Sequence, residues 1–139
     1  MKDTEAHLFA AVEHLFRIQS ECSCSILSGC GLPEVTVRQA AYLRTIDQHG
    51  DVTFSRMAEI TRTSKPTVTE MINRCVRMDC AYREPCPDDG RVQYIRLTEK
   101  GRTIARAERT ALHRTIGRMM ESLDERECAL LADILSRVR

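Results

Sequence analysis

The chain has no excess of charge of either sign. Its 21 Lys and Arg stand against 20 Asp and Glu, for a net charge of +1, so no bulk positive field points to a nucleic-acid partner; such contact must come from local clustering. Aromatic residues amount to only 4% and tryptophan is absent, while 42% of the chain is hydrophobic and 29% charged. That is a globular profile tilted toward helix. No apolar run approaches the ~20 residues that span a bilayer, which excludes a membrane-spanning helix. The first residues lack the basic and apolar regions of a signal peptide. The expected location is therefore the cytoplasm, where the seven cysteines stay reduced and do not form a disulfide framework. There is no repeat, low-complexity tract or linker, so a single domain over residues 1–139 is expected. No nucleophile–base pairing, phosphate loop or pair of carboxylates in a plausible pocket argues for an enzyme.

Helical spacing dominates what is present. Leu8, Val12, Leu15, Phe16 and Cys22 recur at intervals of three, four and seven and predict an amphipathic helix over about 4–24. Gly29, Gly31 and Pro33 then break the pattern. Thr36 and Gln39 form a capping box at the head of a second helix, with Ala40, Leu43 and Ile46 inward and His49-Gly50 as its stop. Thr53 caps a short third helix facing Phe54, Met57, Ala58 and Ile60 inward. Ser64 caps a fourth, with Pro66 in the first turn, where a missing N–H costs nothing. Thr98 opens a long helix over about 99–121. Asp124 and Glu127 cap a last helix over about 125–138, carrying Cys128, Leu131, Ile134 and Leu135 on one side.

The fourth helix carries the chemistry. Val68, Met71, Ile72, Cys75 and Met78 make its buried side. Lys65, Thr67, Thr69, Glu70, Asn73 and Arg74 project from the other, and a helix presenting amide, hydroxyl and guanidinium groups is what reading the major groove requires. Asp79 ends it, a small polar residue able to take left-handed backbone. Ala81–Pro85 then reads as a strand, Pro87-Asp88-Asp89-Gly90 as a turn, and Val92, Tyr94 and Leu97 as the supporting residues of a second strand with Gln93 and Arg96 facing away. Arg62, Lys65, Arg74, Arg77, Arg83, Arg91, Arg96, Lys100 and Arg102 cluster in or beside this stretch. The fold expected is mainly α with a small β-wing: a winged helix-turn-helix over about 36–98, with the outer helices forming a dimerisation region. Apolar residues on more than one face of those helices exceed what one chain of this size covers.

This order of elements resembles the multiple-antibiotic-resistance regulator (MarR) family over nearly the whole chain. The resemblance rests on Val35-Thr36-Val37-Arg38-Gln39, Met57-Ala58-Glu59, Ser64-Lys65-Pro66-Thr67-Val68-Thr69, the wing Arg83 to Arg91, and Leu97-Thr98-Glu99-Lys100-Gly101. It implies a homodimeric, DNA-binding transcriptional regulator on pseudo-palindromic operators, a repressor relieved by a small ligand, often phenolic, or by an oxidant. By position, Arg91 resembles the minor-groove arginine and Asp89 the carboxylate that orients it. The expected DNA-binding set is Ser64, Lys65, Thr67, Thr69, Glu70, Asn73, Arg74, Asp89 and Arg91. Cys75 and Cys80 stand where the family usually has large aliphatics, Asp79 where it usually has glycine, and Glu70 where arginine is frequent. Glu70 is expected either to accept from a cytosine amino group or to orient Arg74.

Cys22, Cys75, Cys80 and Cys128 read as small buried hydrophobes, and Cys86 as an exposed wing residue. A thiol-redox or metal-sensing alternative uses Cys22, Cys24 and Cys30. If the first helix ended near Ser23, the three thiols could converge on zinc or an iron–sulfur cluster; no second Cys-x-x-Cys pair supports it, and no cation lies beside Cys22 in sequence. A third reading is a winged-helix protein-interaction module that never touches DNA.

Overall fold

Thr36, Thr53, Ser64, Thr98 and Asp124 each take extended backbone and accept, through the side chain, the N–H of the third residue on. Each fills an orphan donor at a helix start. The structure, a computed structural model, describes residues 1–29 and 35–139; of the break expected over 23–34, residues 23–29 are instead helical, and residues 30–34, Cys30 among them, lie outside the described residues. In chain order the elements are α1 (Lys2–Gly29), α2 (Val37–His49), β1 (Val52–Thr53), α3 (Phe54–Thr61), α4 (Lys65–Arg77), β2 (Ala81–Pro85), β3 (Gln93–Leu97), α5 (Glu99–Ala105), α6 (Ala107–Ser122) and α7 (Glu125–Ser136). The fold is mainly helical with one small antiparallel sheet, a winged helix-turn-helix. Among the described residues no helix is long and apolar enough to cross a membrane.

The chain divides into two compact units. Residues 26–107 form the winged helix. Its sheet has the order β1-β3-β2, with Val52 opposite Ile95 and Arg83 opposite Ile95 from the other side. The core gathers Tyr42, Leu43 and Ile46 from α2, Met57 from α3, Val68, Ile72 and Cys75 from α4, Val52 and Ile95 from the sheet and Ile104 from α5. Each fully buried aliphatic contributes about 1.5–3 kcal/mol. Gly50 ends α2 at φ 66, a conformation open to glycine, and returns its N–H to Ile46 O. Asp79 takes φ 59 after α4, the left-handed turn expected of it.

Three expectations need correction within this unit. On β3 the inward residues are Ile95 and Leu97; Tyr94 lies on the other face beside Arg96, whose guanidinium sits 5.1 Å from its ring centre. The two-residue period, counted from Leu97, sends Tyr94 outward, and Val92 lies before the strand, which begins at Gln93. On α2, Tyr42 rather than Ala40 joins Leu43 and Ile46 in the core. The long helix after Thr98 is broken at Arg106, which takes φ −99 and ψ 1. There the guanidinium makes a two-pronged pair with Asp47 of α2, at 2.8 and 3.0 Å. No proline or glycine marks the break; a partner 59 residues away in sequence does.

The second unit consists of residues 1–25 and 108–139. Gln19 links its helices, donating to Glu108 O at 3.1 Å and lying 3.0 Å from the Thr115 hydroxyl. Much of its apolar surface is uncovered. Leu8, Phe9, Val12 and Phe16 on α1, Leu112, Ile116 and Met120 on α6, and Leu130, Ile134 and Leu135 on α7 are all exposed. Contiguous apolar surface on that scale is rare on a chain that works alone.

Candidate nucleic-acid interface

The helix α4 is amphipathic in the sense needed to read a groove. Val68, Met71, Ile72 and Cys75 are buried beneath it, and Lys65, Glu70 and Arg74 are exposed above, with Thr67, Thr69 and Asn73 half-buried at the margin. Ser64 and Thr67 satisfy each other at its start: Ser64 Oγ accepts the Thr67 N–H at 3.3 Å and the two hydroxyls lie 2.8 Å apart. One turn on, Arg74 donates to Glu70 at 2.8 Å. This pair is one of the two arrangements expected of Glu70.

The wing is held by its own turn. The Cys86 N–H donates to Val92 O at 2.8 Å and the Val92 N–H to Asp89 O at 3.0 Å. Asp89 Oδ1 accepts the Arg91 N–H at 3.0 Å and lies 4.0 Å from Arg91 Nε. The carboxylate thus fixes the backbone from which Arg91 springs, and the side chain itself, 96% exposed, projects into solvent. At the base of the wing Arg96 is paired with both Glu84 and Asp51.

Recognition helix and wing meet around one hollow of about 410 Å³, lined by Thr53, Phe54, Ser55, Lys65, Thr69, Arg91, Val92 and Gln93. Two cations from separate elements, Lys65 and Arg91, line it with hydroxyls from Ser55 and Thr69. That is a donor set for phosphate oxygens. Sequence spacing places Lys65 and Thr69 on one helix face, but only the sheet register brings Arg91 to them. A contact absent from the sequence reading also lies here: Arg83 of β2 donates to Asn73 of α4.

A family model described as the MarR family matches residues 34–92. Solved structures extend the likeness in fold to nearly the whole chain. YusO from Bacillus subtilis is 21% identical, with 99% of this chain and 95% of that one covered at a TM-score of 0.69. The S. aureus MepR–DNA complex is 20% identical, with 95% of each chain covered at 0.70. The PcaV transcriptional regulator from Streptomyces coelicolor, in complex with its natural ligand, is 22% identical, with 90% and 89% covered at 0.52. No curated protein matches the chain.

Within the winged helix Cys75 and Cys80 are buried, and burial, with Cys80 nearby, pushes the Cys75 thiol up to about 11. They fill core space as small hydrophobes. Cys86, half-buried rather than open, has its thiol held below the usual value by the Tyr94 hydroxyl and by backbone N–H groups of Asp88 and Asp89. In the other unit the proposed convergence of Cys22 and Cys24 fails, because α1 runs unbroken to Gly29. Residues two apart on a helix point about 200° apart, and among the described residues no group of His, Cys, Asp and Glu could hold a metal; Cys30 lies outside them. Cys22 instead lines a hollow of about 270 Å³ with Glu21, Ser25, Arg114 and Arg118. The cations missing beside it in sequence come from α6, some ninety positions on.

Proposed function

We propose that the chain is a sequence-specific DNA-binding transcriptional regulator, acting as a cytoplasmic homodimer and as a repressor released from its operator by a small ligand or an oxidant. One observation carries the reading: Lys65 and Thr69 of α4 and the exposed wing arginine border a single hollow. Ser64, Lys65, Thr67 and Thr69, near the start of α4, meet the phosphate backbone. Glu70, Asn73 and Arg74 meet base edges in the major groove. Arg91 enters the adjacent minor groove with Asp89 behind it. The family match over residues 34–92 supports this reading, as do two proteins of the same fold, MepR in complex with DNA and PcaV with its natural ligand. The uncovered apolar face of α1, α6 and α7 supports the dimer, which gives two recognition helices for two half-sites.

A gel-shift titration on a duplex selected from a random pool tests the interface. Arg91→Ala is expected to weaken binding about tenfold with an unchanged melting temperature. Unchanged affinity removes the wing from the interface. The oxidant reading rests on Cys22, which shares its hollow with Arg114 and Arg118. Peroxide treatment followed by thiol mass spectrometry is expected to find Cys22 oxidised in step with DNA release. Release by a phenolic compound with Cys22 still reduced leaves the small ligand as the signal.

A further inference from the structure

A wing side chain hydrogen-bonds the recognition helix. Arg83 of β2 donates a guanidinium N–H to Oδ1 of Asn73 on α4, and its Cζ lies 5.0 Å from the centre of the Phe54 ring at the head of α3. Three elements of the winged helix converge on that guanidinium. A guanidinium has five donors and no acceptor, so the end of the Asn73 amide turned toward it must be the carbonyl oxygen. The amide NH2 is turned the other way. The cation–π contact with Phe54 anchors the guanidinium, and the hydrogen bond orients the amide.

An unconstrained asparagine reads adenine with both ends, its NH2 donating to N7 and its carbonyl accepting from the N6 amino group. Here the carbonyl is engaged within the protein and the amide plane is set before DNA arrives. The carbonyl oxygen keeps a second lone pair, but the bond turns it toward Arg83, so the end of the amide left to face a base is its pair of N–H donors. Guanine offers two neighbouring acceptors in the major groove, N7 and O6. Adenine offers one acceptor beside a donor, thymine one acceptor, and cytosine only its amino donor. Glu70, one helical turn before Asn73, is acceptor-only and is held by Arg74 at 2.8 Å. Amide donors and an acceptor-only carboxylate on adjacent turns complement the acceptor edge of guanine and the donor edge of cytosine.

We infer that Arg83 is a specificity-determining positioning residue: by holding the Asn73 carbonyl it turns the amide N–H donors toward the base, so that Asn73 selects guanine over adenine. The inference rests on the DNA-reading function proposed above. It also gives a role to a wing residue outside the expected DNA-binding set.

The test is equilibrium binding of the full chain to a duplex selected from a random pool, with each base pair changed in turn. In the wild type, one guanine in each half-site is expected to lose roughly tenfold or more in affinity on change to adenine, and Asn73→Ala is expected to abolish that discrimination. Arg83→Ala, which frees the amide to rotate, is expected to accept adenine at least as well as guanine. Arg83→Lys keeps a cationic donor on the carbonyl and is expected to retain the guanine preference. The double variant Arg83→Ala/Asn73→Ala is expected to match Asn73→Ala. Should Arg83→Ala fail to melt cooperatively, the wild type and Asn73→Ala still decide: a wild-type preference for adenine at the Asn73-dependent position overturns the inference. So does a uniform loss of affinity in Arg83→Ala with every base preference intact, the signature of a phosphate contact. A wild-type chain that enriches no sequence overturns the DNA-reading function itself, and the inference with it.

Discussion

Cys86 sits in the wing turn with its sulfur 3.6 Å from the Tyr94 hydroxyl. When the thiol ionises, that hydroxyl and the backbone N–H groups of Asp88 and Asp89 donate to it, which lowers its pKa. A lowered pKa means more thiolate at pH 7.5, and below the pKa that gain exceeds the accompanying fall in nucleophilicity. Iodoacetamide labelling followed by peptide mass spectrometry is expected to modify Cys86 faster in the wild type than in Tyr94→Phe. Cys75, raised to about 11, is expected to stay unlabelled in the native protein. Equal rates at Cys86 in both proteins would mean the hydroxyl does not stabilise the thiolate. Most of the candidate DNA-contacting residues were legible from helical spacing alone, because Glu70, Asn73 and Arg74 must share a face once Val68, Ile72 and Cys75 are buried. Their pairings were not equally so. Glu70 and Arg74 are one turn apart and could be foreseen. Arg83 reaches Asn73 only through the placement of β2, and that Tyr94 faces outward follows from a strand register of which one inward member, Ile95, went unrecognised.

Gly101 shows how tightly α5 is seated. A Cβ there would come within 1.9 Å of the Cys80 carbonyl oxygen, the same oxygen that accepts the Thr98 N–H. Alanine gains ~1 kcal/mol in helix propensity, but moving backbone to make room outweighs it. Gly101→Ala is expected to lower the urea midpoint by the equivalent of roughly 2 kcal/mol; a raised midpoint would show that the contact is soft. The break between α5 and α6 is governed by the Asp47–Arg106 pair. The hydrogen bond from Arg106 lowers the Asp47 pKa, so its stabilising contribution is present above the unfolded carboxylate value of about 3.9 and fades as pH falls through the lower folded value. Asp47→Asn is expected to melt below the wild type at pH 7, with the gap closing under pH ~4. A gap independent of pH would assign the loss to packing. The starts of the capped helices were readable because each cap is a local side chain–backbone contact. The extent of α1 and the break at Arg106 were not: the first has no stop signal of its own between Cys24 and Gly29, and the second depends on a residue of α2.

Taken whole, the chain leaves its largest apolar surface outside any core. Phe16 is 67% exposed and Leu8 62%, on the same helix as the half-buried Leu15 and Ile18. A second copy of the chain is the occupant proposed for this face, and Phe16→Glu is expected to shift the protein from dimer to monomer in sedimentation at micromolar concentration. A wild-type monomer, or a variant that stays dimeric, would place the assembly elsewhere or remove it. That two-fold arrangement and the reading face of α4 together make the central claim, and one measurement addresses both. Selection of bound duplexes from a random pool by the wild-type chain is expected to enrich an inverted repeat whose halves lie about one helical turn, or a multiple of it, apart. Enrichment of no sequence, or of one without two-fold symmetry, would contradict the account.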